Sequence, residues 1–451
     1  MTEKRLFGTN GVRGIAGADM TPALTLSIGL ALGSMRTGHI AVGRDTRTSG
    51  PALASAVKAG LLATGCDVTD CGILPTPALQ YLVKEHFDAG AMITASHNPP
   101  EYNGVKVIEP DGTEMGDEET IRLEAKILDE KVPLVTWNAT GREYQATHLV
   151  REYTDAVVEQ FPAGIGDGIT VVVDPGCGAA CATTPEILTR LGCRVVTINS
   201  QMDGTFPGRL PEPSPEGLRP LGELVRSTGA ALGIAHDGDA DRAVFLDENG
   251  TFIEENQEFG LIAGQVCRAR KGTVVMPVST SRLVETIAHQ NGCDVRYTPV
   301  GSIYVARAMR ALEAEGTPVA FGGEGNGGLI YPDHQYCRDG GMTAAMMIAI
   351  LAREHGTVSD LVAALPMFHL IKEKIRGTDP SAMITTLSAA FAGESIDRTD
   401  GIRINREESW ALIRPSGTEP LVRVIVESPD KKTAHAFFDE IMKNIGQSSK
   451  K

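Results

Sequence analysis

Residues 40–68 read IAVGRDTRTSGPALASAVKAGLLATGCDV, and this stretch decides the fold. A short apolar run leads through a loop into a helical pattern, which reaches Gly65-Cys-Asp-Val68 and a further strand. The same order recurs twice, from ITVVVD at 169–174 to GCRV at 192–195 and from TVVMPV at 273–278 to GCDV at 292–295. Three copies of one strand–loop–helix–strand unit are typical of an α/β protein.

The chain is too long for a single hydrophobic core, and its pattern changes after about Leu365. Three strand-like runs and an amphipathic helix follow there, at residues 401–405, 410–414, 421–427 and 431–445. We therefore predict an α/β fold of three similar α/β/α domains with mixed sheets, plus a smaller C-terminal α+β domain, around a central cleft. The predicted domains span residues 1–150, 151–255, 256–366 and 367–451.

Composition excludes several classes of protein. The 451 residues carry 42 basic and 57 acidic side chains, a net charge of −15, which argues against a nucleic-acid or membrane-surface binder. The start of the chain lacks the apolar core of a signal peptide, and the longest apolar run, residues 342–352, predicts a buried helix. We expect a cytoplasmic protein whose eight cysteines are reduced thiols, because their spacing suits neither disulfides nor a metal site.

One loop carries a candidate nucleophile. After the apolar run 89–93 the chain reads TASHNPPEYNGVK from Thr94 to Lys106, and its prolines and glycine predict a tight, exposed loop. Ser96, with His97 beside it and Lys106 ten residues later, suits phosphoryl transfer, which needs a held nucleophile and positive charge. An ordinary turn is the alternative.

A second loop places three carboxylates at alternate positions, Asp237-Gly-Asp-Ala-Asp241, between apolar runs. Carboxylates this close repel one another, and a bound divalent cation is the usual relief. An EF-hand would begin with the same spacing and would have Glu248 as its twelfth residue, but Arg242 stands where that loop needs glycine and both flanks predict strands. We favour a Mg²⁺ site at a strand end over an EF-hand or a metal-free acidic turn.

Two further loops suit a phosphorylated sugar. Glu324, between glycines, is able to accept hydrogen bonds from adjacent hydroxyls, although a helix-capping acid is equally consistent with the pattern. Residues 414–420, Arg-Pro-Ser-Gly-Thr-Glu-Pro, and Arg423 offer guanidinium groups, hydroxyls and approachable backbone for an anion, or form an ordinary turn. The arginines within residues 7–14 and 43–47 either face a phosphate or are solvated. Together the loops indicate phosphoryl transfer on a phosphorylated sugar.

The chain resembles the α-D-phosphohexomutases over essentially its whole length. The match rests on four ordered motifs: Thr94-Ala-Ser-His-Asn-Pro99, Asp237-Gly-Asp-Ala-Asp-Arg242, Gly323-Glu-Gly-Asn326 and Arg414-Pro-Ser-Gly-Thr-Glu-Pro420. The resemblance implies an isomerase of carbohydrate metabolism, in which a phosphoserine gives its phosphoryl group to a sugar and regains one from a bisphosphorylated intermediate. It implies Mg²⁺ as cofactor, a hexose 1,6-bisphosphate as activator and a small sugar phosphate as partner. Neither nucleic acid nor a membrane is expected as a partner, and the oligomeric state is open.

The resemblance also implies roles for individual residues. Ser96 would be the phosphoserine and would hold the metal together with Asp237, Asp239 and Asp241. Arg13 and Lys106 match positions for proton transfer and charge stabilisation, and His97 is a further catalytic candidate beside the serine. The residues expected to bind substrate or orient the phosphoserine are Arg242, Glu324, Asn326, Arg414, Ser416, Gly417, Thr418 and Arg423.

One position departs from the family pattern. Gly328 stands where many bacterial relatives have a histidine assigned as general base, so the base is open, with Lys106 or another group of the cleft as candidates. The segments 7–14 and 414–420 are most similar to those of phosphoglucosamine mutases, and the expected reaction interconverts glucosamine 6-phosphate and glucosamine 1-phosphate. The alternatives are a phosphomannomutase/phosphoglucomutase, a non-catalytic sugar-phosphate-binding protein, and a plain phosphatase.

Overall fold

The computed structural model describes residues 6–8, 11–129, 132–354, 356–376, 380–415 and 421–448. Its strands are β1 (Val12–Ile15), β2 (His39–Arg44), β3 (Asp67–Ile73), β4 (Ala89–Ile93), β5 (Tyr102–Ile108), β6 (Glu143–Gln145), β7 (Thr170–Asp174), β8 (Arg194–Thr197), β9 (Leu232–His236), β10 (Ala243–Leu246), β11 (Thr273–Pro277), β12 (Asp294–Thr298), β13 (Val319–Glu324), β14 (Gly328–Ile330), β15 (His369–Arg376), β16 (Ser395–Asp397), β17 (Ile402–Asn405), β18 (Trp410–Pro415) and β19 (Leu421–Ser428).

The helices alternate with the strands over most of the chain. They are α1 (Pro22–Met35), α2 (Gly50–Ala63), α3 (Thr76–His86), α4 (Asp117–Asp129), α5 (Val150–Val158), α6 (Thr184–Arg190), α7 (Arg219–Thr228), α8 (Glu255–Ala269), α9 (Arg282–Gln290), α10 (Ser302–Ala314), α11 (Gly340–Arg353), α12 (Val358–Ala363), α13 (Pro380–Ala390) and α14 (Lys431–Ser448). Not one of the described helices is both long and apolar enough to cross a membrane.

The chain divides into two compact units, one of residues 1–258 with 326–363 and one of residues 259–325 with 364–451. The first unit holds two mixed sheets. The larger has the order β1-β5-β4-β2-β3-β6, and the smaller β10-β9-β7-β8. In each, an apolar strand lies between two parallel neighbours, β2 between β3 and β4, and β7 between β8 and β9.

Buried strands in these sheets follow from their sequences. β4 (AGAMI) and β9 (LGIAH) are buried along their whole length, as expected for strands covered on both faces. Antiparallel strands then return the chain, β5 beside β4 and β10 beside β9. The carboxyl ends of β4 and β9 therefore each begin a sharp loop that turns back into the sheet.

Close helix packing supports the larger sheet. α1 and α2 touch through glycines, since a Cβ atom on Gly29 would lie 2.2 Å from the Val57 carbonyl oxygen. Ile28, Leu32 and Leu61 are fully buried beside this contact. In the same unit, α11 packs on α5 and α6, and its apolar residues 342–350 are buried as the sequence predicts.

The second unit holds strands β11 to β13 of the third sheet and the whole C-terminal sheet. Strands β12, β11 and β13 run parallel, while the C-terminal sheet has the antiparallel order β15-β19-β18-β17-β16, with α13 and α14 packed on it. The Arg403 guanidinium lies 4.5 Å from the ring centre of Tyr297 on β12 and 4.4 Å from that of Trp410 on β18, so cation–π contacts tie the two sheets together. The predicted fold class, three α/β domains and a smaller C-terminal α+β domain, is confirmed. The domain boundaries stay predictions.

Candidate active site

The candidate nucleophile lies in a strained turn after β4. Ser96 has a φ of +50°, in the left-handed region that side chains rarely adopt. Its N–H donates to Thr94 Oγ1 at 2.8 Å, and that hydroxyl donates to Asp45 Oδ2 at 2.7 Å. Ser96 is 1% exposed, and its Oγ donates to Asp237 Oδ2 at 2.9 Å. The expectation of an exposed loop was therefore wrong for the serine, which packs against the aspartates.

Arg47 holds the backbone of the serine loop, residues 94–101 between β4 and β5. Its side chain is fully buried, and its Nε donates to Asp45 Oδ2 at 3.0 Å. Its remaining nitrogens donate to four carbonyl oxygens, those of Ser96 (2.8 Å), Asn98 (2.6 Å), Pro99 (2.6 Å) and Tyr102 (2.9 Å). The expectation that the arginines of residues 43–47 face a phosphate or solvent was wrong for Arg47, because every donor is used inside the protein.

The smaller sheet has a similar buried aspartate–arginine pair next to the three aspartates. Asp174 ends β7 as Asp45 follows β2, and its Oδ2 accepts from Arg209 Nε at 2.9 Å. Arg209 Nη2 donates to the His236 carbonyl oxygen at 2.6 Å, directly before Asp237. A buried aspartate–arginine pair at a strand end thus fixes the backbone of each loop.

Asp237, Asp239 and Asp241 form the aspartate loop, between β9 and β10, which are both strands as predicted. One ligand oxygen from each lies within 4.8 Å of the others, and all three residues are buried. Two of their oxygens, Oδ1 of Asp239 and Oδ1 of Asp241, are buried and accept no hydrogen bond from the described residues. Three converging carboxylates with unused oxygens fit a hard divalent cation. An EF-hand is excluded, since strands rather than helices flank the loop.

Lys106 and Arg338 neutralise Asp239 and Asp241. Lys106 Nζ lies 2.9 Å from Asp239 Oδ2 and 3.3 Å from Asp241 Oδ2, and Arg338 Nη2 donates to Asp241 Oδ2 at 2.6 Å. Burial opposes the charge of Lys106, but Asp239 and Asp241 outweigh it and raise its pKa. Lys106 is therefore protonated among these carboxylates, which favours charge stabilisation over removal of a proton.

The carboxyl groups differ in charge. Burial raises the pKa of Asp237 to about 7, and the neighbouring Asp241 and Asp239 add to the effect against the attraction of Arg242. At Asp239, burial is outweighed by Lys106 and by the Thr76 hydroxyl, which donates at 2.6 Å, so its pKa is lowered. The carboxyl group that touches Ser96 thus holds its proton most readily of the three.

Arg242 joins the serine and aspartate loops through a residue that the sequence analysis missed. Its guanidinium forks Glu212, with Nη1 at 3.1 Å and Nη2 at 2.9 Å from the two carboxylate oxygens, and its Nε donates to Asp237 Oδ2 at 3.2 Å. His97 Nδ1 is 3.9 Å from the same Glu212 carboxylate and 3.4 Å from Ser96 Oγ. Burial, with Arg242, lowers the His97 pKa to about 4, so the imidazole is neutral at pH 7.

Arg13, on β1, lies on the other side of the serine loop. Its Nη1 donates to Asn98 Oδ1 at 3.1 Å, while its buried Nη2 has no hydrogen-bond partner among the described residues. Burial lowers its pKa, partly offset by Asp239 and Asp241. A guanidinium with one buried, unused donor suits an anion, and Arg13 thus joins Ser96, His97, Lys106 and the aspartates in one place.

The second unit carries Arg414, Arg423 and Glu324. Arg414 and Arg423 face each other across β18 and β19, and Arg414 Nε lies 3.1 Å from Asp400 Oδ2. Arginines directly opposite on one sheet face repel unless an anion joins them. Glu324 is buried at the end of β13, while Asn326 belongs to the first unit. Ser416, Gly417 and Thr418 lie outside the described residues.

Comparison with known proteins assigns the class. Four segments match the domains of the phosphoglucomutase/phosphomannomutase family: alpha/beta/alpha domain I at residues 4–133, domain II at 151–250, domain III at 254–368 and the C-terminal domain at 373–444. A solved phosphoglucomutase/phosphomannomutase family protein from Burkholderia thailandensis superposes with a TM-score of 0.88 at 27% identity, covering 100% of this chain and 98% of its own.

Two archaeal relatives are nearer in sequence. The chain is 42% identical to a phosphoglucomutase/phosphomannomutase of Thermococcus kodakarensis, over 99% of each chain. It is 40% identical to a probable phosphoglucosamine mutase of Methanopyrus kandleri, over 97% of each chain. The chain belongs to the phosphoglucomutase/phosphomannomutase family, and it is an isomerase of the phosphohexomutase type.

Proposed function

We propose that this protein is a Mg²⁺-dependent phosphoglucosamine mutase that works through a phosphoserine at Ser96. The observation that carries the proposal is the contact of 2.9 Å between the Ser96 hydroxyl and Asp237, inside a buried triad of carboxylates. A serine that acts only as a hydroxyl nucleophile needs neither three carboxylates nor several buried cations beside it. A phosphorylated serine needs both a metal site and positive charge.

Ser96, as phosphoserine, and the three aspartates would hold Mg²⁺. Their unused Oδ1 atoms on Asp239 and Asp241 supply ligands without breaking a hydrogen bond. When bound, Mg²⁺ supplies positive charge to the transferring phosphoryl group.

The protein's own residues would perform the remaining work. In the first half-reaction the phosphorus–oxygen bond to Ser96 breaks as one forms to a sugar hydroxyl oxygen; the sugar hydroxyl loses a proton, the Ser96 oxygen gains one, and the product is a bisphosphorylated sugar. In the second, the phosphorus–oxygen bond at the other sugar position breaks, Ser96 regains a phosphoryl group, and the proton moves in the opposite direction. Lys106 and Arg13 would stabilise charge on that group, and Arg242 would orient the phosphoserine. Arg414, Arg423 and the loop between them would hold the phosphate that is not reacting, with Glu324 on the sugar hydroxyls.

Glucosamine phosphate is the substrate best supported. The segments 7–14 and 414–420 are most similar to those of phosphoglucosamine mutases, and the relative from Methanopyrus kandleri carries that name. The second candidate is a phosphoglucomutase/phosphomannomutase, favoured by the name of the relative from Thermococcus kodakarensis.

Turnover assays separate the candidates. Purified protein is incubated with Mg²⁺, a trace of hexose 1,6-bisphosphate, and glucosamine, glucose or mannose 6-phosphate in turn, and the 1-phosphate is measured. The proposal expects the highest kcat/KM with glucosamine 6-phosphate; a preference for glucose or mannose phosphate would select the second candidate. Net release of inorganic phosphate would instead identify a phosphatase.

The phosphoserine is tested by replacing the residue. Ser96→Ala should remove nearly all turnover and also the mass of one phosphate from the intact protein. Ser55→Ala is the matched control, because Ser55 is an exposed serine on α2, and it should change neither. Tight sugar-phosphate binding without turnover in the unaltered protein would indicate a binding protein instead.

A further inference from the structure

At residue 328, where many bacterial relatives have a histidine, this chain has glycine, and the Arg338 side chain occupies the space beside it. Gly328 begins β14 and is buried, yet its φ is not positive, so its backbone conformation does not require glycine. A Cβ atom at this position would lie 2.4 Å from Arg338 Cδ and 2.8 Å from Arg338 Cγ. Residue 328 is therefore restricted to glycine by the arginine side chain that occupies the space beside it.

That side chain ends on the aspartate loop. Arg338 is 7% exposed, and its Nη2 donates to Asp241 Oδ2 at 2.6 Å. The other oxygen of this carboxylate, Oδ1, accepts no hydrogen bond from the described residues. The guanidinium thus binds one oxygen of a candidate metal ligand and leaves the second oxygen for the metal.

The backbone around Arg338 is anchored to the same loop. Asp339 N donates to the Leu329 carbonyl oxygen at 3.0 Å, and Gly340 N donates to that of Ala240 at 3.2 Å. The Asp339 carboxylate accepts from Tyr153 Oη at 2.6 Å and from Gln335 Nε2 at 2.8 Å. Arg338 therefore leaves from a fixed point, and its charge is fixed relative to Asp241.

We propose that Arg338 is a positioning residue for the phosphoryl transfer, a permanent cation that orients Asp241 and moderates the charge of the aspartate loop, and that Gly328 exists to admit it. Arginine stays protonated at neutral pH, so it replaces a histidine in space but not as a proton acceptor. The proposal rests on the proposed function for its catalytic meaning, while the pairing of Gly328 with Arg338 rests on packing alone.

The packing is tested on metal-free protein with Gly328→Ala, Arg338→Ala and the double variant. Gly328→Ala should lower the thermal midpoint by about 2–4 °C, because the new methyl group meets Arg338. In the Arg338→Ala background the same change should cost less than about 1 °C. Equal costs in both backgrounds would overturn the pairing. Because these measurements need neither Mg²⁺ nor turnover, they are independent of the proposed function.

The charge is tested by titrating dephosphorylated protein with Mg²⁺ in a calorimeter. Repulsion between a fixed cation and a dication predicts that Arg338→Met binds Mg²⁺ about tenfold more tightly than the unaltered protein, with Arg338→Lys within about threefold of it. In turnover, Arg338→Met should lower kcat more than tenfold at saturating Mg²⁺ and leave KM within about threefold. A purely structural residue would not tighten metal binding, so unchanged or weaker Mg²⁺ affinity in Arg338→Met overturns the proposal. Failure of the unaltered protein to bind Mg²⁺ would overturn the metal part of the proposed function.

Discussion

At the scale of single residues, buried arginines do more to shape the site than any other side chain. Arg47 and Arg209 each bind an aspartate at a strand end. Arg47 also donates to four carbonyl oxygens of the serine loop and its neighbouring strand, and Arg209 donates to the His236 carbonyl oxygen directly before the aspartate loop. Planar guanidinium groups with five donors suit this task, because one side chain can satisfy carbonyl groups that point in several directions. The left-handed φ of Ser96 is maintained because Arg47 donates to the carbonyl oxygens of Ser96 and Asn98 and so holds the loop in this conformation.

Arg47→Met should therefore be severe. It leaves the buried Asp45 carboxylate without its cation and takes one donor from each of four carbonyl oxygens, and we expect a loss of about 3–5 kcal/mol in the free energy of unfolding. Turnover should fall as well, because Ser96 is no longer held in place. Urea unfolding followed by circular dichroism, with kcat in parallel, measures both. Arg122→Met, on an exposed pair with Glu119, is the control and should cost less than about 1 kcal/mol; equal losses would contradict the assignment.

The sequence reveals some of these residues and conceals others. Ser96 and the three aspartates were predicted as candidates from the polar groups that follow apolar strands, although an ordinary turn was open for the serine, and the structure brings Ser96 and Asp237 into contact. Arg47, Glu212 and Arg338 were not predicted in their roles, because each acts on residues 30 or more positions away in the chain. A charged side chain carries no local sign of burial when its partners come from other strands, so only the tertiary structure identifies it.

At the scale of elements, the start of α11 connects the aspartate loop to the helices around it. Asp339 caps the helix by accepting from Met342 N at 2.9 Å, and the same carboxylate accepts from Tyr153 and Gln335. An ordinary N-cap satisfies one or two backbone N–H groups at a solvated helix end. This one also satisfies buried side chains from α5 and from the segment before the helix.

Asp339→Ala should consequently cost more than the loss of a usual cap. We expect a decrease of about 2–4 kcal/mol in the free energy of unfolding, because a hydroxyl and an amide lose their partner in a buried place. Thr21→Ala is the matched control: Thr21 caps α1 by accepting from Leu24 N, and its loss should cost about 1 kcal/mol. Similar losses for the two variants in parallel urea unfolding would contradict a network role for Asp339.

Element prediction succeeded where the sequence repeats itself. The Gly-Cys-x-Val repeats correctly predicted β2–α2–β3, β7–α6–β8 and β11–α9–β12, since each unit has a buried apolar strand and a turn glycine. β15 was missed because its residues, HLIKEKIR, are mostly half-buried or exposed and show no clear alternation. A strand that is stabilised mainly by pairing with β19 has little signal in its own sequence.

At the scale of the whole molecule, the repeated strand–loop–helix–strand pattern predicted the fold class but not how the segments group into compact units. Residues 326–363 pack in the first unit with residues 1–258, although the sequence places them directly after β13 of the third sheet. Contacts such as that of Gly340 N with the Ala240 carbonyl oxygen bring this about, and they join residues 100 positions apart. No local pattern predicts such a contact, because it depends on how the loops at the ends of β9 and β13 continue.

The fully buried His236 is expected to take up a proton when the protein unfolds, and this makes its lowered pKa measurable. Its Nδ1–H donates to the Arg242 carbonyl oxygen at 2.9 Å, and burial lowers its pKa to about 4, against about 6.5 in an unfolded chain. Between these pH values the unfolded chain binds a proton that the folded protein does not. The contribution of neutral His236 to the free energy of unfolding is thus complete above pH 6.5. It is lost as the pH drops towards 4, by up to about 3 kcal/mol.

His236→Asn should flatten this dependence, because the amide still donates to the carbonyl group but does not titrate. The thermal midpoint of metal-free protein, measured from pH 7 to pH 4, should fall less steeply in the variant. The difference in slope corresponds to up to one proton fewer taken up on unfolding. His435→Asn, on the exposed side of α14, should follow the unaltered protein throughout. Parallel curves for all three proteins would mean that His236 has the same pKa in the folded and unfolded states. Its burial and the neighbouring Arg209, which both lower the pKa, oppose that outcome.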